Sequence, residues 1–521
     1  MTIFTLGTTN TAALTVPGNY VAIVPPQITY INGVATGILG LVGTAAWGPV
    51  GSPTTVGTYA EYVTYFGTLR ARRYDIGTAV AVAVQQGCSD IVCVRVTDGS
   101  DTAATYALAY SAPSYGALLT SKYTGSYGNA IGIIMGSGSA AGSTRLTLTS
   151  PGSAPEIFDN ISGTGAAFWN NLVSVVNTGS GSRGPSQLVV ATLGANTGAA
   201  IPTYAATANQ TLSGGTDGAS GVGTSQLLGT DGPARTGMYA LRNAGCSVAV
   251  LVDCADNTSW STQVAFALSE GVYMVDSGPA GESISNATNV KASSGIDTYA
   301  MKILYGDWIY WLDTTNNGQT RLISPTSFSA GLLANLSPEQ SSLNKQVQAI
   351  VGTQKSFTNS VYSQADLALL ATAGIDVIAN PAPGGSYFAP VIGRNASSSA
   401  VIHGDNYTRL TNFIAKTINA WMGQVVGLLQ NPTTRRQAFT LLDQFFYTLW
   451  QQGIIGNADG TQPYSIVLND SNNPPARVAL GYLQANVQVQ YQSVIEYMLT
   501  EIEGGQSVQI SRQAVAPALS T

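Results

Sequence analysis

Few side chains in this 521-residue chain are of the types that do chemistry. One histidine, His403, serves the whole sequence, and it stands in a Gly/Asn/Ser-rich stretch. A general base needs an oriented nucleophile within reach, and a metal ligand needs further donors. No such partners cluster around His403 in the sequence, so it reads as a loop histidine. The four cysteines, Cys88, Cys93, Cys246 and Cys254, are not spaced as Cys-x-x-Cys pairs. They fall in or beside apolar runs and are expected to be core thiols, since a zinc site needs about four donors. Gly179-x-Gly181-x-x-Gly184 matches the dinucleotide fingerprint by letter. It follows a helical segment (168–176) instead of a strand, so it cannot aim a helix N-terminus at a pyrophosphate and reads as a turn. Asp253 and Asp256, at the end of a β-branched run, are the best remaining enzyme carboxylates, although a carboxylate there more often caps a turn or helix. No Gly-x-x-x-x-Gly-Lys-Ser/Thr phosphate loop is present. The reading is of no enzyme, with no catalytic residue, no cofactor and no metal site.

The elements that would have to position such groups say more. The last fifth of the chain reads helix, helix, strand, then a long alternating strand. From Asp405, taken as N-cap, the residues Phe413, Ile414, Ile418, Trp421, Val425, Leu428 and Leu429 recur at the spacing of one buried helical stripe. Asn431-Pro432 starts a second helix, with proline at a position where no amide donor is missed, and Gly453 can end it. The period then changes to two: Val487, Val489, Tyr491, Ile495, Tyr497 and Leu499 share one parity. Upstream, 37–43 reads as a strand and 59–66 as an amphipathic helix. A helix over 79–86 feeds the continuous apolar strand 91–96, typical of a buried parallel sheet. Short β runs with Gly/Ser/Thr spacers fill 99–214. Helix–strand alternation returns with helices 236–244 and 260–268 and strands 247–253 and 272–275. An aromatic strand is expected over 303–312. Ser337, Pro338 and Gln340 form a capping box for another helix, and 366–371 reads as a further one.

Length exceeds one comfortable core. Charged residues are 9% of the chain, against about 25% for an ordinary soluble domain. Such a surface has little like-charge repulsion to keep copies apart. The net charge of −6 gives no reason to bind nucleic acid, no basic run marks an anionic membrane, and no apolar run reaches the ~18 residues of a span. The opening MTIFTLGTTN has no basic residue before its apolar patch, so a secretory signal is not expected.

Several stretches in register resemble the contractile tail sheath family of phages and related injection machines. They are the opening PGNYVAIVPPQITYINGVATGILGLVGTAAWGPVG with its helix ending Tyr65-Phe66-Gly67, then Gly125-x-x-Gly128-Asn129-x-Ile131 and EIFDNIS. LSGGTDG (212–218), LSPEQSSLNK, the run 366–375 and RRQAFTLLDQFFYTLWQQGIIGNADGTQPYSIVLND follow. The insert follows no fixed family pattern, and NASSSAVIHGD replaces the usual Trp–Gly junction.

The resemblance implies an α/β and α+β multidomain chain. It would have an N-terminal arm (1–26), a mixed-sheet α/β core (27–98 with 215–402) and an inserted β-rich outer domain (99–214). An inner α+β domain (403–505) and a C-terminal arm (506–521) would follow. It implies hexameric rings stacked around a tail tube, with contraction driving the tube through a host envelope during genome injection. Partners would be copies of itself, the tube protein, and baseplate and tail terminator proteins, with no nucleic acid and no membrane insertion. The location would be the virion tail, after assembly in the host cytoplasm. Arms would add strands to a neighbour's sheet through Leu14, Val16, Val21, Ile23, Val508 and Ile510, too few residues to form a sheet alone. Arg409, Lys416, Arg435 and Arg436 make the last helices locally basic and are expected to face the tube. The alternatives are an α/β hydrolase-like or ligand-binding enzyme, or a secreted adhesin or surface-layer protein.

Overall fold

The computed structural model describes residues 31–110, 114–181, 183–203, 207–208 and 210–502, with the backbone of 2–6 and 19–23. Strands β1 (Thr2–Leu6) and β2 (Asn19–Ile23) pair in parallel from Thr2↔Asn19 to Leu6↔Ile23. The opening strands therefore pair with each other, where the sequence reading left each without an intrachain partner. Val21 and Ile23 lie in β2. Leu14, Val16, Val508 and Ile510 lie outside the described residues.

The centre is a six-stranded sheet built from β3 (Leu39–Gly43), β4 (Thr54–Val56), β5 (Ile91–Arg95), β13 (Val248–Leu251), β14 (Tyr273–Ser277) and β15 (Met301–Leu304), in the order β15-β14-β13-β3-β5-β4. All neighbours are parallel except the edge strand β4. Strands β3, β5, β13, β14 and β15 are buried along their whole length, as their continuous apolar runs require. The chain passes from β3 to β5 on one side and returns to β13 on the other, so the sheet is doubly wound and switches direction between β3 and β13.

Seven further strands make the insert: β6 (Thr105–Leu108), β7 (Ala117–Ser121), β8 (Gly132–Ser137), β9 (Thr144–Thr149), β10 (Glu156–Ile161), β11 (Val189–Leu193) and β12 (Gln210–Thr211). They form two antiparallel sheets, β10-β9-β8-β12 and β11-β7-β6. Their buried faces close on helix α3 (Gly165–Thr178) through Phe168, Trp169 and Leu172, a core separate from those of the central sheet. A third sheet, β17-β16-β18, comprises β16 (Ile309–Asp313), β17 (Gln319–Ile323) and β18 (Ile350–Thr353). It closes over Trp311 and Phe328.

Among the helices, α1 (Tyr59–Phe66) and α2 (Ile76–Gln85) precede α3. α4 (Trp260–Glu270), α5 (Ile284–Ser294), α6 (Thr326–Asn335) and α7 (Gln364–Ala373) belong to the core. The last two, α8 (Asp405–Met422) and α9 (Pro432–Gln451), pack around Phe413, Leu442, Phe445, Phe446 and Leu449. Beside them runs a hairpin of β21 (Tyr464–Val467) and β22 (Asn486–Val489), numbered after the two-residue strands β19 (Ile378–Ala379) and β20 (Ala389–Pro390).

Several expectations change, each for a physical reason. The first terminal helix stops at Met422, because Gly423 and Gly427 interrupt it; Val426, Leu428 and Leu429 are exposed instead of extending its stripe. The run 303–312 splits at Gly306 into β15 and β16 of different sheets. A Cβ at Gly306 would lie 2.1 Å from the Pro279 carbonyl. No helix follows Ser337, whose hydroxyl turns to Glu339 Oε2 (2.5 Å) in a run of turns. The segment 236–244 tightens to a 3₁₀ turn, Gly237–Leu241. The long alternating strand pairs only as far as Val489. By contrast, α1 has the bounds read from its pattern, and Asn431 caps α9 by accepting from Thr434 N at 2.9 Å.

The switch point bears directly on function, since open α/β sheets bind ligands in the crevice beyond that point. Here the chain's own segment fills it. Thr44 N donates to Tyr74 O (2.6 Å) and Ile76 N to Thr44 O (2.9 Å), and a Cβ on Gly43 would sit 2.4 Å from Tyr74 O. Gly43→Ala should therefore push backbone off backbone and cost about 1–3 kcal/mol in denaturant unfolding. Gly136→Ala, with nothing near its Cβ, should stay within about 0.5 kcal/mol of the native chain.

Candidate functional site

Two buried polar seams tie the last helices and the insert to the central sheet. The first joins the central sheet to α8. Lys302 on β15 is wholly buried, with Nζ 2.5 Å from Asp376 Oδ2 and 2.9 Å from Asp405 Oδ2, both carboxylates equally buried. Tyr273 on β14 donates its hydroxyl to Asp405 Oδ1 at 2.5 Å, and the Ser342 hydroxyl donates to Asp405 Oδ2. Asp376 also accepts backbone N–H groups from Val377, Ile392 and Gly393. Burial alone would lower the Lys302 pKa, but Asp376 and Asp405 outweigh it and hold the ammonium above its ordinary value. Burial likewise opposes ionisation of Asp405, yet Lys302, Ser342 and Tyr273 bring it below the usual carboxylate range. Asp405 is thus an ion-pair partner, and Gly404 occupies the cap position the sequence reading gave to Asp405. One turn on, Arg409 donates to the carbonyls of Leu336 and Ser337 just past α6 (2.6 and 2.8 Å), where burial lowers its pKa to about 10. Lys416 reaches the Cys246 carbonyl at 2.6 Å.

The second seam closes the insert, and it is made from the two glycine-rich markers. Asn129 and Gly215 exchange reciprocal hydrogen bonds, Asn129 Nδ2 to Gly215 O at 2.9 Å and Gly215 N to Asn129 Oδ1 at 2.8 Å. Asp217 accepts from Ser126 N (2.6 Å) and Arg72 Nη1 (2.5 Å). Beneath them the buried Arg95 of β5 donates to the carbonyls of Gly48, Thr124 and Asp217. Glycine is required at Gly125, with φ +134° and a would-be Cβ 2.1 Å from Ala46 O. The outgoing and returning strands of the insert are thereby clamped to each other and to the core.

The structure redistributes the candidate residues. Arg409, expected on a tube-facing surface, is buried because α8 packs against the core, and the half-buried Lys416, expected there too, bonds to that core. Arg435 pairs with Asp470 at 2.6 Å, and Arg436 is exposed. His403 lies 3.6 Å from Glu496 Oε1, and burial, then Arg394, push it below its ordinary value. Asp253 is buried and accepts from Ser324 N (3.2 Å); Asp256 caps a 3₁₀ turn and accepts from Thr224 and Thr258. The glycines 179–184 form a turn between α3 and β11. All four cysteines are free and buried. Lys302, Asp376 and Arg95 were missed. The available signal was charge inside apolar strands: MKIL, GIDVIA and IVCVR each carry one ion that has to be paired if buried.

One more buried carboxylate stands at the C-terminal end of the parallel strands. Burial pushes Asp276 up to about 7. It accepts from Gln263 Nε2 at 2.6 Å, while Gln263 Oε1 has no partner.

No family model matches the sequence, and neither does any curated protein. Solved structures do match. A sheath tail protein from Desulfitobacterium hafniense superposes with a TM-score of 0.55 at 14% identity, over 86% of this chain and 93% of the other. One from Listeria innocua gives 0.56 at 13%, over 85% and 90%. The contracted sheath of the extracellular contractile injection system PVC gives 0.52 at 10%, over 95% and 99%. The fold of this chain is the fold of contractile sheath proteins.

Removing one member of the first seam strands buried charge. Lys302→Met should cost about 3–5 kcal/mol in equilibrium unfolding, and Lys302→Met/Asp405→Asn less than the sum of the two single changes. Asp276 works in the opposite sense with pH. Its folded-state pKa is raised, so its native form is favoured while protonated and loses stability as pH rises from about 4 through 7. Asp276→Asn should therefore gain on the native chain in melting temperature between pH 5 and pH 8; a constant difference would show that Asp276 does not titrate in that window.

Proposed function

We propose that this chain is the structural subunit of a contractile tail sheath, stacking as hexameric rings around a tail tube. The observation that carries this reading is the sheath fold over almost the whole length of the chain, at 85–95% coverage, with little omitted from the matched proteins. The blocked switch-point crevice supports it, since an α/β enzyme would need that space. So does the surface: with 9% charged residues, copies can approach without strong repulsion. Head-to-tail contacts between copies would propagate as a filament. The two seams would let each subunit move as a nearly rigid body when the sheath contracts from a kinetically trapped extended state.

The partners under this reading are copies of itself, a tube protein and the baseplate; matched structures include a baseplate of the anti-feeding prophage. Its place is in a particle tail. Arg435 and Arg436 remain the candidate cations for the tube surface, and the terminal arms the candidate strands for a neighbour's sheet. Electron microscopy of the purified protein should show hollow tubes of regular rings. Deleting residues 1–20 or 506–521 should leave a folded monomer with near-native thermal unfolding that forms none. A full-length chain that stays monomeric at high concentration, or truncated chains that still form tubes, would defeat this reading.

A further inference from the structure

Beyond β22 the chain runs out as an extended strap. Gln490 still bonds backbone to backbone with Pro463 and Gly456, and the Tyr491 hydroxyl lies 3.2 Å from Thr411 Oγ1. From 492 to 502 no backbone hydrogen bond joins the strap to a described residue. Ile495, Tyr497, Met498, Leu499 and Ile502 are each more than 80% exposed. The strap does not fill the surface beneath it. It crosses between cavities of about 680 Å³ and 390 Å³, and 494–496 line both.

What holds it is charge. Arg394 Nη2 donates to Glu496 Oε2 and, at 3.1 Å, to the Tyr497 hydroxyl, and His403 faces the other oxygen of Glu496. Side-chain exposures of 17% for Arg394 and 25% for Glu496 place the pair partly out of water. Both anchors sit on the tight loop before α8, where Arg394 bridges to Gly404 and Asn395 N donates to His403 O. The Arg394 carbonyl lies 3.4 Å from Lys302 Nζ, so the loop is fixed by the buried ion cluster. A rigid anchor thus grips an otherwise unbonded strand bearing exposed apolar side chains.

We propose that Arg394, with His403 beside it, forms an electrostatic latch on Glu496 that parks the strap 492–502 on the free subunit and slows its engagement with a second copy. The second half of this inference rests on the sheath reading; the first does not. Release unbinds one ion pair and leaves the apolar parity of the strap free to pair elsewhere.

The test uses the full chain with spin labels at Ala400→Cys and Met498→Cys, both exposed; the native cysteines are buried and do not compete. At low salt the native latch should give a narrow distance distribution. Glu496→Gln should broaden it, raising the released fraction by about fivefold, the upper range for a partly exposed pair. The charge swap Arg394→Glu/Glu496→Arg should narrow it again, which a merely local packing defect would not allow. A narrow distribution in Glu496→Gln, or a broad one in the native chain, overturns the latch. The lag before polymerisation should shorten in Glu496→Gln by a similar factor. An unchanged lag alongside a released strap removes the inhibitory role, whereas a chain that never polymerises counts against the sheath reading and leaves the distance result standing.

Discussion

The arrangement of this molecule depends on one buried ion cluster. Lys302 belongs to the central sheet, Asp376 to the segment that extends that sheet beside β15, and Asp405 to the first turn of α8. The Asp376 segment shares the hydrophobic core of β15, while α8 packs in another, and opposite charges that water cannot reach join the two. Such a junction contributes little net stability compared with an apolar one, because desolvation offsets most of the attraction. Its value is directional. An apolar interface can slide by a fraction of a turn at small cost, while a buried ammonium between two carboxylates, with Tyr273 and Ser342 completing the shell, has one geometry. The insert is fixed in the same manner, with Arg95 buried below the Asn129–Gly215 clasp.

The end of the central sheet where an open crevice would lie is closed as tightly. The topology offers a crevice between β3 and β13, and the backbone around Tyr74 occupies it at a contact that only glycine at 43 permits. The carboxylates at that end are committed: Asp75 accepts from Thr78 and Arg70, and Asp253 from Ser324. Helices α2 and α6 meet so closely that a Cβ on Gly331 would lie 2.8 Å from the Ala83 backbone. Small residues at these contacts let neighbouring elements close on each other without a gap.

Local chemistry was legible in the sequence; distant pairing was not. The bounds of α1, the Asn431-Pro432 start of α9 and the buried run of β5 follow from period, cap and β-branching, all contained within a few residues. The glycine markers were visible as patterns, but their meeting across 86 residues required the fold. Asp405 looked like a helix cap because its partner, Lys302, is 103 residues earlier. The helix after Ser337 failed although its capping box was complete. Ser341 and Ser342 there are drawn into the seam and the loop around Gly393, and tertiary bonding overrode a local preference. Arg409 was misplaced for the same reason: an amphipathic pattern shows that a face is buried, not which other body buries it.

The scarcity of charge gains a second meaning from these placements. A surface poor in ions favours close association of copies, while several of the cations present stand where bodies join. Arg72 and Arg95 serve the insert, Lys302, Arg409 and Lys416 the last helices, and Arg394 the strap. A chain selected only for low repulsion would have dispensed with these as well, since each carries a desolvation cost. Among the described residues beyond Glu496 no further ion pair is found, so the seams and the strap are held in different ways.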